Sequence, residues 1–180
     1  IWVEPNDDPK RKLGYSWKLI ELGQDFACID TAIPNKLVAG ALAQGQIAEL
    51  AGATTIRPEV RYGENSRVDF LLTGPGPNTY VEVKAVSLRR GDWAEFPDTV
   101  TRRGAKHLAE LTEMVRQGHR AVMLYLVQRT DCHRFRLAAD IDPAYAAAFT
   151  KATAQGVEAL CYSTGISPLG MQIGTRLPLA

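Results

Sequence analysis

The chain has 180 residues, 46% of them hydrophobic, which suits one ordinary domain with a substantial core and excludes a disordered composition. Lys and Arg number 21 against 20 Asp and Glu, a formal net charge of +1, so any nucleic-acid surface must come from local segregation of charge. Three scattered cysteines, Cys28, Cys132 and Cys161, argue against a disulfide framework or a zinc site and fit a reducing, cytoplasmic setting. No apolar run approaches the ~20 residues of a bilayer span, and no signal-peptide pattern is present, so no membrane partner is expected. The chain opens on Ile1 rather than methionine, which leads us to expect a further segment upstream.

Residues 1–31 read as the end of a small β domain, with short strand-like runs at 1–3, 16–22 and 26–30. Three such strands are too few to stand alone. From residue 32 the pattern becomes mixed α/β. Asn35 is read as the cap of a helix reaching about Gln46, with Leu37, Val38, Ala41 and Leu42 as its apolar stripe. Residues 54–62 read as a strand with Pro58 at an edge or bulge. Strands at 67–73 and 79–88 flank Thr73-Gly-Pro-Gly-Pro-Asn78, a run of turn formers, and should fold into a hairpin. A helix over 101–117 carries Leu108, Leu111 and Val115 and ends at Gly118. Residues 121–128 are almost wholly apolar, as in a strand covered on both faces. Asp142 and Pro143 open a helix running to Gly156, and 157–163 is a last strand. This order predicts a mixed central sheet flanked by helices on both faces.

Two carboxylates and a lysine interrupt the hairpin: Asp69 in Arg67-Val-Asp-Phe-Leu-Leu72, and Glu82 and Lys84 in Tyr80-Val-Glu-Val-Lys84. If Leu72 pairs with Thr79, the register sets Asp69 opposite Glu82, where like charges about 5 Å apart at Cβ repel. Glu82 and Lys84 share a face because side chains alternate along a strand. A magnesium (or manganese) ion would offset the repulsion, since Mg²⁺ takes one or two carboxylates, waters and substrate phosphate oxygens. The competing reading is a solvated hairpin face with a Glu–Lys ladder. Against it, the flanking Phe70, Leu71, Leu72, Val81, Val83 and Val86 are apolar, and charges in such surroundings need partners.

Longer runs carry a resemblance. Ser66-Arg-Val-Asp-Phe-Leu-Leu72, Tyr80-Val-Glu-Val-Lys84, Phe96-Pro-Asp-Thr-Val-Thr-Arg-Arg-Gly-Ala-Lys-His-Leu108 and Gly118-His-Arg-Ala-Val122 resemble the SfsA, or sugar fermentation stimulation, family. Asp8-Pro-Lys-Arg-Lys-Leu13, Pro34-Asn-Lys-Leu37, Ile141-Asp-Pro-Ala-Tyr145 and Gly156-Val-Glu-Ala-Leu-Cys-Tyr162 extend it over essentially the whole chain. The resemblance implies a restriction-endonuclease-like domain of the PD-(D/E)xK nuclease type over 32–180, preceded at 1–31 by the remnant of an OB-like β domain. It also implies non-specific DNA binding and a role in regulating sugar (maltose) metabolism. The nuclease signature then falls on Asp69, Glu82 and Lys84. Three positions depart from the family pattern: Gly40 stands where relatives carry a first-helix glutamate, Thr101-Arg-Arg-Gly-Ala105 has lost an acid and an amide, and Ala85 follows Lys84. These departures weigh more against catalysis than against DNA binding.

Glu59, and less so Glu64, are candidates to replace the absent carboxylate as a metal ligand. Arg102, Arg103 and Lys106 open the 101–117 helix, where free N–H groups and basic side chains favour phosphate; the alternative is a solvated face paired with Glu110. Lys10, Arg11 and Lys12 precede Tyr15 and Trp17 and form a second DNA-binding candidate, or a charged turn whose aromatics pack inward. His107, His119 and His133 lack metal-ligand spacing, and His107 is expected on the helix surface, the alternative being that it faces the site beside Lys106. Three readings follow: a DNA-binding protein with an Mg²⁺-dependent phosphodiesterase site, an active DNA endonuclease, and a protein-interaction module on a dead nuclease scaffold. A homodimer stays open.

Overall fold

The most apolar run of the sequence lies inside the central sheet of a computed structural model that describes residues 1–8, 10 and 12–180. In chain order the elements are β1 (Trp2–Pro5), β2 (Tyr15–Leu22), β3 (Asp25–Cys28), α1 (Ile33–Ala43), β4 (Thr55–Tyr62), β5 (Ser66–Thr73), β6 (Thr79–Val86), β7 (Leu88–Arg90) and β8 (Trp93–Phe96). They continue with α2 (Arg102–Arg116), β9 (Arg120–Val127), β10 (Arg134–Leu137), α3 (Pro143–Ala154), β11 (Glu158–Ser167) and β12 (Gly170–Arg176). The main sheet has the order β12-β11-β9-β6-β5-β4. β9 runs parallel to β6 and β11, and the flanking pairs are antiparallel. The fold is mixed α/β, as expected.

Helices cover both faces. α1 packs Val38, Ala41 and Leu42 against Phe70, Leu72, Val81, Val83, Val122 and Leu124. α2 and α3 cover the other face, with Leu108, Leu111, Met114 and Tyr145 against Val68, Leu71, Met123, Tyr125 and Val127. Parallel pairing of β6 and β9 requires a crossover, and α2 supplies it. Asp142 accepts from Tyr145 N–H at 2.9 Å as the cap of α3, with Pro143 in the first turn. Its other oxygen accepts from Thr101 N–H at 2.8 Å, which fixes the start of α2. A Cβ at Gly104 would meet the Tyr145 ring and the Thr101 side chain at 2.9 Å, so this glycine permits close approach of two helices. No helix among the described residues is long and apolar enough to cross a membrane.

Several elements escape the sequence reading. β7, β8 and β10 form a separate three-stranded sheet whose arginines Arg90 and Arg136 converge on the buried Glu95. Short strands rich in charge do not carry an apolar alternation to read. β12 is a glycine-diluted strand at the edge of the main sheet. β1, β2 and β3 form a third sheet, tied to the main body by Cys28 N–H to Gln128 O at 2.9 Å and Thr130 N–H to Phe26 O at 3.0 Å. Leu19 and Cys28 pack there with Ile166.

α1 begins at Ile33, two residues before the expected cap, and Ala32 precedes it without a side-chain bond. Asn35 therefore lies inside the helix, which frees its amide to reach the neighbouring strand.

The hairpin register is as expected where the ladder runs: Phe70, Leu71 and Leu72 pair with Val81, Tyr80 and Thr79. Beyond Phe70 that ladder stops, so Asp69 and Glu82 are not a cross-strand pair. The β4–β5 ladder likewise skips Glu59 and Asp69, and Glu59 has φ of 54°. Ile56 and Phe70 face the α1 side, whereas Val60 and Val68, of the same parity, face the α2 side. Both strands thus exchange faces at the level of Asp69, and the left-handed Glu59 is where β4 absorbs the change.

Candidate functional site

The break in the ladder frames the candidate site. Asp69 lies between β5 and β6, and its Oδ2 accepts the N–H of Val83 at 2.7 Å, taking the place of a strand partner. Its Oδ1 accepts from the Asn35 amide at 2.7 Å. On the α2 side, Glu82 is buried, with Oε1 bonded to Lys84 Nζ at 2.7 Å and to His107 Nδ1. Lys84 Nζ also lies 3.2 Å from that ring nitrogen. Arg103 Nε donates to His107 Nε2 at 3.3 Å. These groups, with Thr31, Pro34, Val83 and Ala85, line one cleft of about 210 Å³.

Burial and the neighbouring Glu82 charge push the Asp69 carboxyl above its usual range, against the opposing pull of Val83 N–H, Asn35 and Lys84. Burial also pushes Glu82 upward, but the bonds from His107 and Lys84 more than offset it and hold the carboxyl below its ordinary value. Two acids at one cleft are thus driven apart in proton affinity. Glu82 Oε2 is buried with no hydrogen-bond partner among the described residues, so the acid keeps one uncommitted oxygen. Among the described residues no set of three or more His, Cys, Asp and Glu side chains is arranged as metal ligands. The cleft offers two carboxylates, a donor set that suits a hard cation completing its shell with water and phosphate oxygens.

Of the residues singled out from sequence, Asp69, Glu82, Lys84 and Arg103 come together. Glu59 does not: it is exposed on β4 and absent from the cleft lining, because the strand turns its side chain outward at the left-handed position. Glu64 contributes a backbone carbonyl to Lys106 Nζ at 2.8 Å, and that lysine lies 3.5 Å from Glu110. Lys106 thereby clamps the β4–β5 turn onto α2, together with the Ser66–Glu110 bond at 2.7 Å. Arg102 is exposed at the helix start, outside the cleft lining. Lys10 and Lys12 are exposed between β1 and β2, and Arg11 lies outside the described residues. Tyr15 and Trp17 are exposed rather than packed inward.

The departures from the family pattern also take positions. Gly40 does not line the cleft, and a Cβ there would meet only the end of Gln44 at 4.0 Å. The α1 residues at the cleft are Pro34 and Asn35, and of these Asn35 bonds Asp69. Ala105 faces the groove between α2 and α3 instead.

Sequence reasoning missed two site residues. Asn35 was read as a cap. For His107 the default surface position gives way to the alternative: it faces the site, is 3% exposed and touches three charged side chains. The signal for it was present: position 107 lies on the same stripe as Gly104, Leu108 and Leu111, the buried face of α2.

The comparisons with known proteins agree with this architecture. The family model described as "Sugar fermentation stimulation protein RE domain" matches residues 32–170. A sugar fermentation stimulation protein homolog of Dinoroseobacter shibae is 65% identical over 182 residues, covering 99% of this chain and 75% of that protein. Its counterpart in Jannaschia sp. is 61% identical over 183 residues, covering 99% and 76%. A solved structure of Pyrococcus furiosus SfsA in complex with Ca²⁺ superposes with a TM-score of 0.90 at 27% identity, covering 99% of this chain and 76% of that one. This chain belongs to the sugar fermentation stimulation protein (SfsA) family.

Proposed function

We propose that the chain binds DNA through the phosphate backbone and that the cleft is a cation-dependent phosphodiesterase centre. In this reading residues 32–180 form a PD-(D/E)xK nuclease-like domain and residues 1–31 an OB-like β remnant. The observation that carries it is the convergence of Asp69, Glu82, Lys84 and Arg103 at the point where β5 and β6 part. A buried glutamate beside a partly buried aspartate, with one raised carboxyl and one unpartnered oxygen, is a poor structural element and a good cation receptor. That the Pyrococcus furiosus relative was solved in complex with Ca²⁺ supports divalent-cation binding.

Asp69 and Glu82 would hold Mg²⁺ or Mn²⁺, which when bound supplies polarisation of a phosphoryl oxygen and a more acidic water. The chain's own groups do the rest. Asn35 and the Val83 N–H fix the Asp69 carboxylate, so its orientation costs nothing at the moment of reaction. The Lys84 ammonium, 14% exposed, stands beside Glu82 where negative charge develops on phosphorus. Arg103 binds a phosphate oxygen at the mouth, near the N-terminus of α2, and Arg102 extends the positive surface outward. In hydrolysis a water oxygen bonds to phosphorus, one P–O ester bond breaks, and the departing oxygen takes up a proton. Any influence on sugar metabolism follows from DNA binding.

Binding without turnover is the second reading, favoured by one observation. Lys84 already neutralises Glu82 at 2.7 Å, and among the described residues no third carboxylate lines the cleft. Incubating the protein with supercoiled plasmid and Mg²⁺ or Mn²⁺, beside an Asp69→Ala control, separates the two. Nicking lost in the control supports the phosphodiesterase; retardation of the plasmid without nicking supports binding alone. Nicking that survives Asp69→Ala removes the assigned centre.

A further inference from the structure

His107 is a buried side chain whose two ring nitrogens face opposite parts of the site. An arginine guanidinium only donates, so the 3.3 Å contact from Arg103 Nε makes Nε2 the acceptor and places the ring proton on Nδ1. That proton meets Glu82 Oε1, which also receives Lys84. Lys84, itself a donor, is then bonded to the carboxylate and merely adjacent to the ring. Among the described residues the bonding leaves two groups uncommitted: Glu82 Oε2 inside, and the Nη pair of Arg103 outside, the fork that binds a phosphate with two parallel bonds.

We infer that His107 is a two-sided positioning residue: Nδ1–H sets Glu82 for the cation, and Nε2 sets Arg103 for a backbone phosphate of the nucleic acid. This rests on the functional reading above and adds to it a division of labour within one ring. Arg103 is exposed and unbranched, and without its anchor it would sample many rotamers and lose part of its affinity to ordering. Glu82 without its histidine would keep only Lys84 and could turn either oxygen to it.

Two near-isosteric variants split the roles. His107→Asn places an amide near the Nδ1 position and has nothing at Nε2; His107→Gln extends toward Nε2 and abandons Nδ1. The measurements are calorimetric titration with Mn²⁺ and fluorescence anisotropy of a labelled mixed-sequence duplex in EDTA, each on the full chain. Asn is expected to keep Mn²⁺ affinity within a few-fold and weaken duplex binding about 10-fold; Gln is expected to do the reverse, the size being that of other orienting partners of ligand side chains. Variants that alter both affinities alike, or neither, overturn the inference while leaving the functional reading intact if the parent binds both ligands. A parent that binds neither Mn²⁺ nor duplex ends the functional reading and this inference with it. Should either variant fail to fold, long-range ¹H–¹⁵N spectra of the parent ring decide: a proton on Nδ1 supports the assignment, and one on Nε2 overturns it.

Discussion

The β6–β9–β11 core and the β4–β5–β6 edge belong to one sheet and follow opposite rules. In the core, all eight residues of β6 pair with β9, and Ala121 through Val127 are fully buried apolar or aromatic groups. At the edge the ladder breaks at Phe70–Val81, two strands exchange faces, and the gap holds Asp69, Glu82 and their partners. Regular pairing supplies stability and leaves no chemistry exposed. The irregular edge gives up ladder bonds and gains convergent polar groups, as local strain at functional sites often does.

The comparison can be broken first where the largest effect is expected. Leu124→Ala, in the centre of β9, should lower stability by about 3 kcal/mol in denaturant melts. A loss below about 1 kcal/mol would mean that the parallel core does not dominate. At the edge, Arg102→Glu with Arg103→Glu should weaken duplex binding at least about 10-fold and flatten its salt dependence, since each lost phosphate contact removes roughly one unit of slope. Unchanged binding would move the nucleic-acid surface elsewhere, with Lys10, Lys12, Tyr15 and Trp17 next in line.

Asp69→Asn, with the Asn35 amide turned to present its oxygen, should stabilise the cation-free protein and raise its Tm, because burial and the neighbouring Glu82 charge disfavour the Asp69 carboxylate. The sign of its pH dependence follows from the raised carboxyl. Folded protein holds the Asp69 proton more tightly than unfolded chain, so this residue lowers stability as pH rises past its unfolded value of about 3.9. The advantage of Asp69→Asn over the parent should therefore grow as pH rises past the unfolded value and level off once the folded carboxyl is ionised. An advantage that shrinks with rising pH would place Asp69 in a stabilising ion pair instead. Smallest is Glu59→Gly, which relieves the left-handed φ for a gain of up to about 1 kcal/mol and leaves Mn²⁺ binding untouched. Lost Mn²⁺ affinity there would restore Glu59 to the site.

How much of this was legible depends on which rule governs each region. β9, α2 and α3 follow periodicity and capping, so Ala121–Val127, Leu108–Leu111 and Asp142-Pro143 announce themselves. Asp69, Glu82 and Lys84 were conspicuous because charges interrupt apolar strands. The ladder break was not, because strand periodicity predicts a continuous pairing and places Asp69 opposite Glu82. The same assumption kept Glu59 as a ligand. Asn35 was obscured by a helix that starts without a side-chain cap, and His107 by reading a polar residue as a surface one, although it shares the buried stripe of α2.

The central claim is that Asp69 and Glu82 jointly receive one divalent cation. A crystal soaked in Mn²⁺ and measured for anomalous scattering tests it most directly. One peak within direct coordination distance of both carboxylates is the expected result. A cleft without a peak at saturating Mn²⁺, or a peak bound by Glu59 and not by Asp69, would contradict it.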